Sequence, residues 1–127
     1  MNAVEIDELA RKAAPAAMGE VRIGLDEFIQ AYNEGKCELI DIRMPEETAI
    51  WQFNLGLRIP SNELPERLDE LPREKLLVIA CPMSDRSNMV RSYLAAKGFQ
   101  AKYLSGGLLG LADRLKGGAA KSLKLRQ

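Results

Sequence analysis

The stretch of sequence that decides the fold is Leu76-Leu77-Val78-Ile79-Ala80-Cys81-Pro82-Met83-Ser84-Asp85-Arg86-Ser87. Its first five residues form a nearly uniform apolar run, which is typical of a strand that is covered on both faces of a sheet. The chain then leaves this strand at Cys81, and a helix is predicted from about Ser87 with a stop at Gly98. The stretch therefore predicts a strand, a short loop and a helix in succession.

The rest of the chain alternates in the same way. Further strands are predicted at 21–23, 38–42, 57–60 and 101–104. Helical patterns are predicted after Gly24 and up to Gly35, at 45–47, from Ser61 or Asn62 to Leu71, and at 108–115. Short strands that alternate with helices of about 8–12 residues imply right-handed βαβ units. The sequence therefore predicts an α/β fold with a mainly parallel sheet.

Three segments are expected along the chain. Residues 1–19 form an N-terminal helical extension, because apolar residues recur at helical spacing until Pro15 and Gly19 end the pattern. The main domain is predicted at 20–116. Residues 117–127 form a basic tail that is loose or helical.

Length and composition exclude several classes of protein. The 127 residues suffice for one domain that needs no disulfide or metal ion to hold its core. Eighteen basic and eighteen acidic residues give a net charge of zero, so no global charge favours nucleic acid or an anionic membrane. The absence of histidine excludes Ser-His-Asp catalysis and imidazole metal ligands.

Localisation is predicted from the N-terminus and the cysteines. No apolar run approaches the roughly 20 residues of a spanning helix. Acidic Glu5, Asp7 and Glu8 precede the first basic residues, which is unlike a signal peptide. We expect a cytoplasmic protein in which the two cysteines, Cys37 and Cys81, are reduced.

The strongest candidate site is the loop from Cys81 to Ser87, because ligands of parallel α/β sheets bind at the carboxyl ends of strands. The amides of this loop and of the helix start would converge on one point and form an anion cradle beside the sulfur. The same field, with the Arg86 guanidinium, stabilises a thiolate and makes Cys81 a candidate nucleophile. The competing interpretation is that Cys81 is a small buried apolar residue.

The end of strand 38–42 supplies a second candidate group. Asp41 could support the Cys81 loop by accepting its N–H groups, or could cap the turn that follows it. Arg43 could bind substrate, but pairing with Glu47 at helical spacing is favoured.

Cys37 could resolve a Cys81 adduct, although it lies at the amino end of its strand. Trp51 and Phe53 could line a pocket or cover the edge of the core.

Together, several of these pieces resemble a single-domain rhodanese, a sulfurtransferase. The resemblance covers about residues 20–115. It is carried by Leu39-Ile40-Asp41-Ile42-Arg43, Pro45-Glu46-Glu47, Ile59-Pro60, the Cys81–Ser87 loop, Lys97-Gly98-Phe99 and Leu104-Ser105-Gly106-Gly107.

The resemblance implies a five-stranded parallel sheet with helices on both faces, and a reaction without cofactor or metal ion. Cys81 would take a sulfane sulfur from a small anionic donor such as thiosulfate and become a persulfide. The loop backbone at Pro82, Met83, Ser84, Asp85, Arg86 and Ser87, with the Arg86 side chain, would hold the donor and the terminal sulfur. A thiol, a cyanide-like acceptor or an acceptor protein would then remove that sulfur.

The chain also departs from the family pattern. Ser84 stands where family loops often have glycine, Pro82 removes one amide donor, and residues 51–56 replace a histidine-containing segment. These departures favour an alternative, a non-catalytic domain that binds a partner through residues 44–56. A thiol phosphatase or arsenate reductase is disfavoured, since four rather than five residues separate Cys81 from Arg86.

Overall fold

A computed structural model describes residues 2–124 and contains one five-stranded sheet. All strand pairs are parallel, in the spatial order β1-β5-β4-β2-β3. The strands are β1 (Arg22–Ile23), β2 (Cys37–Asp41), β3 (Leu57–Arg58), β4 (Leu76–Ala80) and β5 (Ala101–Leu104). The α-helices are α1 (Ala3–Arg11), α2 (Pro15–Val21), α3 (Leu25–Asn33), α4 (Pro45–Ile50), α5 (Asp85–Ala96) and α6 (Gly107–Leu115). The predicted α/β fold with a parallel sheet is confirmed.

The sheet is buried on both faces, which explains the apolar run of β4. Alternate residues of a strand point to opposite faces. Val78 and Ala80 therefore join the cluster that contains α3 and α6, and Leu77 and Ile79 join the cluster on the α5 side. Cys81 follows Leu77 and Ile79 in this alternation and belongs to the same cluster on the α5 side of the sheet.

The N-terminal region differs from the expected single helix. Pro15 begins α2 instead of ending a helix, because proline is well suited to the first helical position, where its missing N–H needs no partner. Gly19 lies inside α2, and Val21 belongs to this helix and not to a strand. Helix α2 contacts β1 and β5, whereas α1 contains no buried residue.

Several other boundaries differ from the prediction, and β2, β3 and α6 differ from it by one or two residues. The segment predicted as a helix from 61 to 71 forms two 3₁₀ helices, Ser61–Glu66 and Leu68–Glu70. Pro65 lacks the N–H that an α-helix would need there. Helix α5 begins at Asp85, two residues earlier than predicted, and part of the expected tail is a 3₁₀ helix, Gly117–Ser122.

No helix within residues 2–124 is both long enough and apolar enough to span a bilayer.

Candidate active site

The Cys81 loop lies between the carboxyl end of β4 and the start of α5, at the edge of the sheet where the sequence predicted it. Helix α6 fixes the first half of this loop. The Leu108 N–H donates to the Cys81 carbonyl at 2.9 Å, and the Leu109 N–H donates to the Pro82 carbonyl at 3.2 Å. Gly107 makes this approach possible, since any side chain there would collide with the carbonyl oxygens of Pro82 and Met83.

The Cys81 thiol is shielded completely from solvent, with an exposed fraction of 0%. Its Sγ donates to Ser87 Oγ at 3.5 Å, and the Ser87 hydroxyl donates to the Ser84 carbonyl at 2.9 Å. The predicted juxtaposition of the sulfur and the start of α5 is therefore present. The space beside the sulfur, however, is closed in this conformation.

Backbone amides at the start of α5 remain available to an anion. The first N–H groups of a helix have no partner inside that helix. In the described part of the chain, no N–H of residues 83–87 donates a backbone hydrogen bond outside α5. Ser84 has a φ of −148°, so this position does not have the positive φ that would favour the glycine often found there in the family. Asp85 is exposed, so its charge faces the solvent.

The Arg86 guanidinium forms a two-point ion pair with Glu47 of α4. Its two terminal nitrogens lie 2.9 and 2.7 Å from the Glu47 carboxylate oxygens. The Met44 N–H also donates to this carboxylate, at 2.8 Å. These contacts, of which the Arg86 hydrogen bond is the strongest, lower the pKa of Glu47 to about 2. Sequence reasoning missed this role of Glu47, although α4 begins at the same edge of the sheet as the Cys81 loop.

Asp41 and Arg43 form a second ion pair, and both side chains are fully buried. Arg43 Nη2 donates to the Asp41 carboxylate at 2.9 Å, and the Arg43 backbone N–H donates to it at 3.1 Å. The expected pairing of Arg43 with Glu47 is therefore wrong. Asp41 binds the turn that follows it rather than the amides of the Cys81 loop.

The Asp41–Arg43 pair holds the segment after α4. Arg43 donates to the Trp51 carbonyl at 3.2 Å, and its guanidinium lies 4.0 Å from the centroid of the Trp51 ring. Trp51 and Phe53 pack against the cluster on the α3 side of the sheet. These aromatic residues therefore cover an edge of the core, and Arg43 is not exposed to a substrate in this conformation.

Cys37 lies far from Cys81. It is the first residue of β2 and is paired with Leu76, the first residue of β4, whereas Cys81 follows the last residue of β4. The two thiols also belong to different clusters, on opposite faces of the sheet. This geometry does not bring Cys37 to the Cys81 loop.

Known proteins resemble this chain in sequence and in fold. The chain is 33% identical over 85 residues to a putative sulfurtransferase of Bacillus subtilis, which covers 67% of this chain and 81% of the relative. It is 33% identical over 75 residues to a sulfurtransferase of Allochromatium vinosum, which covers 58% of this chain and 70% of the relative. The structure of a rhodanese-like domain protein from Staphylococcus aureus superposes with a TM-score of 0.66 at 28% identity, over 84% of this chain and 98% of that protein. Residues 24–113 match the rhodanese-like domain, and the chain belongs to that family.

Proposed function

We propose that this protein is a sulfurtransferase that carries a sulfane sulfur on Cys81 as a persulfide. The observation that carries the proposal is the position of the Cys81 sulfur at the base of a loop whose amides at 83–87 make no backbone hydrogen bond outside α5 to any residue between 2 and 124. Ser87 Oγ contacts the same sulfur. Backbone N–H donors such as those at 83–87 stabilise a thiolate and the negative charge of a transferred sulfur without a histidine.

The reaction divides into two balanced steps. The Cys81 thiolate attacks the outer sulfur of thiosulfate, a new S–S bond forms, and the old S–S bond breaks with its electron pair leaving on sulfite. The Cys81 persulfide then gives its terminal sulfur to a thiol or cyanide-like acceptor, which regenerates the thiolate. Covalent storage of the sulfur between two half-reactions predicts ping-pong kinetics.

Donor binding requires a change in the loop, because the Cys81 side chain is closed to solvent. The Arg86 guanidinium is held by Glu47 in the closed conformation. An anionic donor that binds Arg86 would compete with this carboxylate. We therefore propose that the donor enters as Arg86 leaves Glu47 and the loop opens.

Intact-mass measurement after exposure to thiosulfate, mercaptopyruvate and polysulfide tests the proposal. We expect the wild-type protein to gain the mass of one sulfur atom from at least one donor. Cys37→Ser is the matched control and retains the gain, whereas Cys81→Ser loses it. Failure of all three donors, or an adduct that persists in Cys81→Ser, would contradict a Cys81 persulfide.

A second candidate function is a non-catalytic domain that binds a partner through residues 44–56. The closed Cys81 thiol favours it, as does Ile50 of α4, whose exposed fraction is 83%. A protein partner retained by the Cys81→Ser variant and lost on Ile50→Glu substitution would support this function. Turnover of a sulfur donor by the wild-type protein would exclude it as the sole role.

A further inference from the structure

A small cavity lies where α1 and α2 meet α5, and the described residues that line it do not include the Cys81 loop, residues 81–87. Its volume is about 90 Å³, and the residues that line it include Lys12, Met18, Asn88, Arg91 and Ser92. A single water needs about 10–15 Å³ of such space, so the cavity has room for a group with several oxygen atoms. Two of these lining residues carry positive charge.

Arg91 is the unusual residue of this cavity. Its exposed fraction is 6%, and its guanidinium donates to Ser92 Oγ at 2.9 Å and to Asn88 Oδ1 at 3.4 Å. Both acceptors are neutral, and no carboxylate within residues 2–124 forms an ion pair with Arg91. Burial lowers the pKa of Arg91, and Tyr103 opposes that change.

A buried guanidinium without a counter-ion is costly, because its charge loses the solvation of bulk water. Arg43, the other buried arginine described above, has a carboxylate partner in Asp41. Arg91 instead lines the cavity described above. Burial, positive charge and the adjoining space therefore favour the binding of an anion at Arg91.

We propose that this cavity binds a small inorganic oxyanion of the phosphate or sulfate class. Arg91 would supply the main charge-assisted hydrogen bonds, Lys12 a second positive charge, and Ser92 and Asn88 neutral polar contacts. Among residues 2–124, no acidic residue lines this cavity. The site goes beyond the proposed sulfur transfer, and either can fail without the other.

The surroundings restrict the site to a small ligand. An adjoining cavity of about 280 Å³ is lined by Arg91 and Lys12 as well, but also by Glu5 and Glu8 of α1. Glu8 is paired with Arg11, and Glu5 is bound to Asn2 at the helix start. These carboxylates repel a larger polyanion, whereas a single oxyanion fits the smaller cavity beside Arg91.

Titration of the wild-type protein with phosphate and with sulfate tests the proposal, with sodium chloride keeping the ionic strength constant. We expect a saturable rise in the thermal midpoint, because a ligand that binds the folded state stabilises it. We also expect saturable changes in the NMR signals of the Arg91 side-chain Nε–H and of the Asn88 and Ser92 amides. These signals report on the wild-type protein, so the test does not depend on the folding of a variant.

Three variants locate the anion. Arg91→Gln should weaken phosphate binding by about tenfold or more, as expected for loss of a charge-assisted hydrogen bond. Arg114→Gln removes an exposed arginine and Arg86→Gln removes the arginine of the Cys81 loop, and both should retain binding. The proposal is overturned if Arg86→Gln abolishes binding while Arg91→Gln keeps it. It is also overturned if neither anion has an effect beyond that of chloride.

Discussion

The environment of each arginine determines what that residue contributes. Arg43 is buried against Asp41, Arg86 is partly exposed against Glu47, and Arg91 is buried without a carboxylate partner among residues 2–124. An ion pair in the interior offsets a large desolvation cost, and removal of one partner leaves the other charge without compensation. The same residue type is therefore paired within the core at one position and proposed to bind a ligand at another.

Asp41→Asn is predicted to destabilise the protein by about 3–5 kcal/mol, because it leaves the Arg43 charge buried and unpaired. Urea unfolding measures the loss. Asp26→Asn is the control, since it breaks the exposed Arg114–Asp26 pair and should cost less than about 1 kcal/mol. The double variant Asp41→Leu/Arg43→Met should recover much of the lost stability. Similar small losses for Asp41→Asn and Asp26→Asn would show that the buried pair is not a major constraint.

At the scale of elements, the Glu47–Arg86 pair joins α4 to the Cys81 loop. The sequence could not indicate this partner. The i,i+4 rule that suggested Arg43 for Glu47 holds within a helix, but α4 begins at Pro45, so Arg43 lies outside it. Closure of the loop over Cys81 also escaped prediction, because it depends on the amides of α6 that bind the loop carbonyls.

The stability that Glu47 contributes is predicted to depend on pH. The pKa of Glu47 is about 2 in the folded protein, against an ordinary value of 4.5 for a glutamate carboxyl. A lowered pKa favours the folded state at pH values above the unfolded pKa, and this contribution is lost as the pH falls toward the folded pKa. Urea unfolding of wild type and Glu47→Gln should therefore differ by about 0.5–1 kcal/mol at pH 6 and by less at pH 3. A difference that is the same at both pH values would contradict the pairing.

The turn between β5 and α6 is predicted to control the shape of the Cys81 loop. Gly107 has a φ of +63°, and a side chain there would collide with the backbone of Pro82 and Met83. Gly107→Ala should therefore destabilise the protein by at least about 2 kcal/mol and change the rate of Cys81 alkylation. Gly118→Ala is the control, since a side chain there meets no atom within 4 Å. Equal stability and equal alkylation rates in the two variants would show that the loop does not depend on this turn.

Other elements were predictable because their signals are local. The bounds predicted for β4 from its apolar run are those of the structure. Helix α3 lies between the predicted cap Gly24 and the predicted stop Gly35. Gly35 has a φ of +74°, a conformation that glycine adopts readily. Pro15 is ambiguous in the sequence, since a proline can follow the end of one helix or occupy the first turn of the next. Only the packing of α2 on β1 and β5 decides between them.

At the scale of the whole molecule, the division of the chain into an extension and a main domain remains a prediction. Within the proposed extension, α1 buries no residue whereas α2 contacts the sheet. We therefore expect α2 to contribute more than α1 to the stability of the domain. Deletion of residues 1–13 should change the free energy of unfolding by less than about 1 kcal/mol. Deletion of residues 1–20 should cost about 1–2 kcal/mol, since it removes the partly buried side chains of α2.

Urea unfolding of the full chain and of the two shortened chains at one protein concentration measures both effects. The shorter deletion also distinguishes two roles for the exposed apolar residues of α1, which are Val4, Ile6 and Leu9. If these three side chains serve only to cover α5, the chain that lacks residues 1–13 stays folded and unfolds in a single cooperative transition. A large loss of stability on deletion of residues 1–13 would instead show that α1 is part of the domain. The predicted boundary between the extension and the domain at residue 20 would then be wrong.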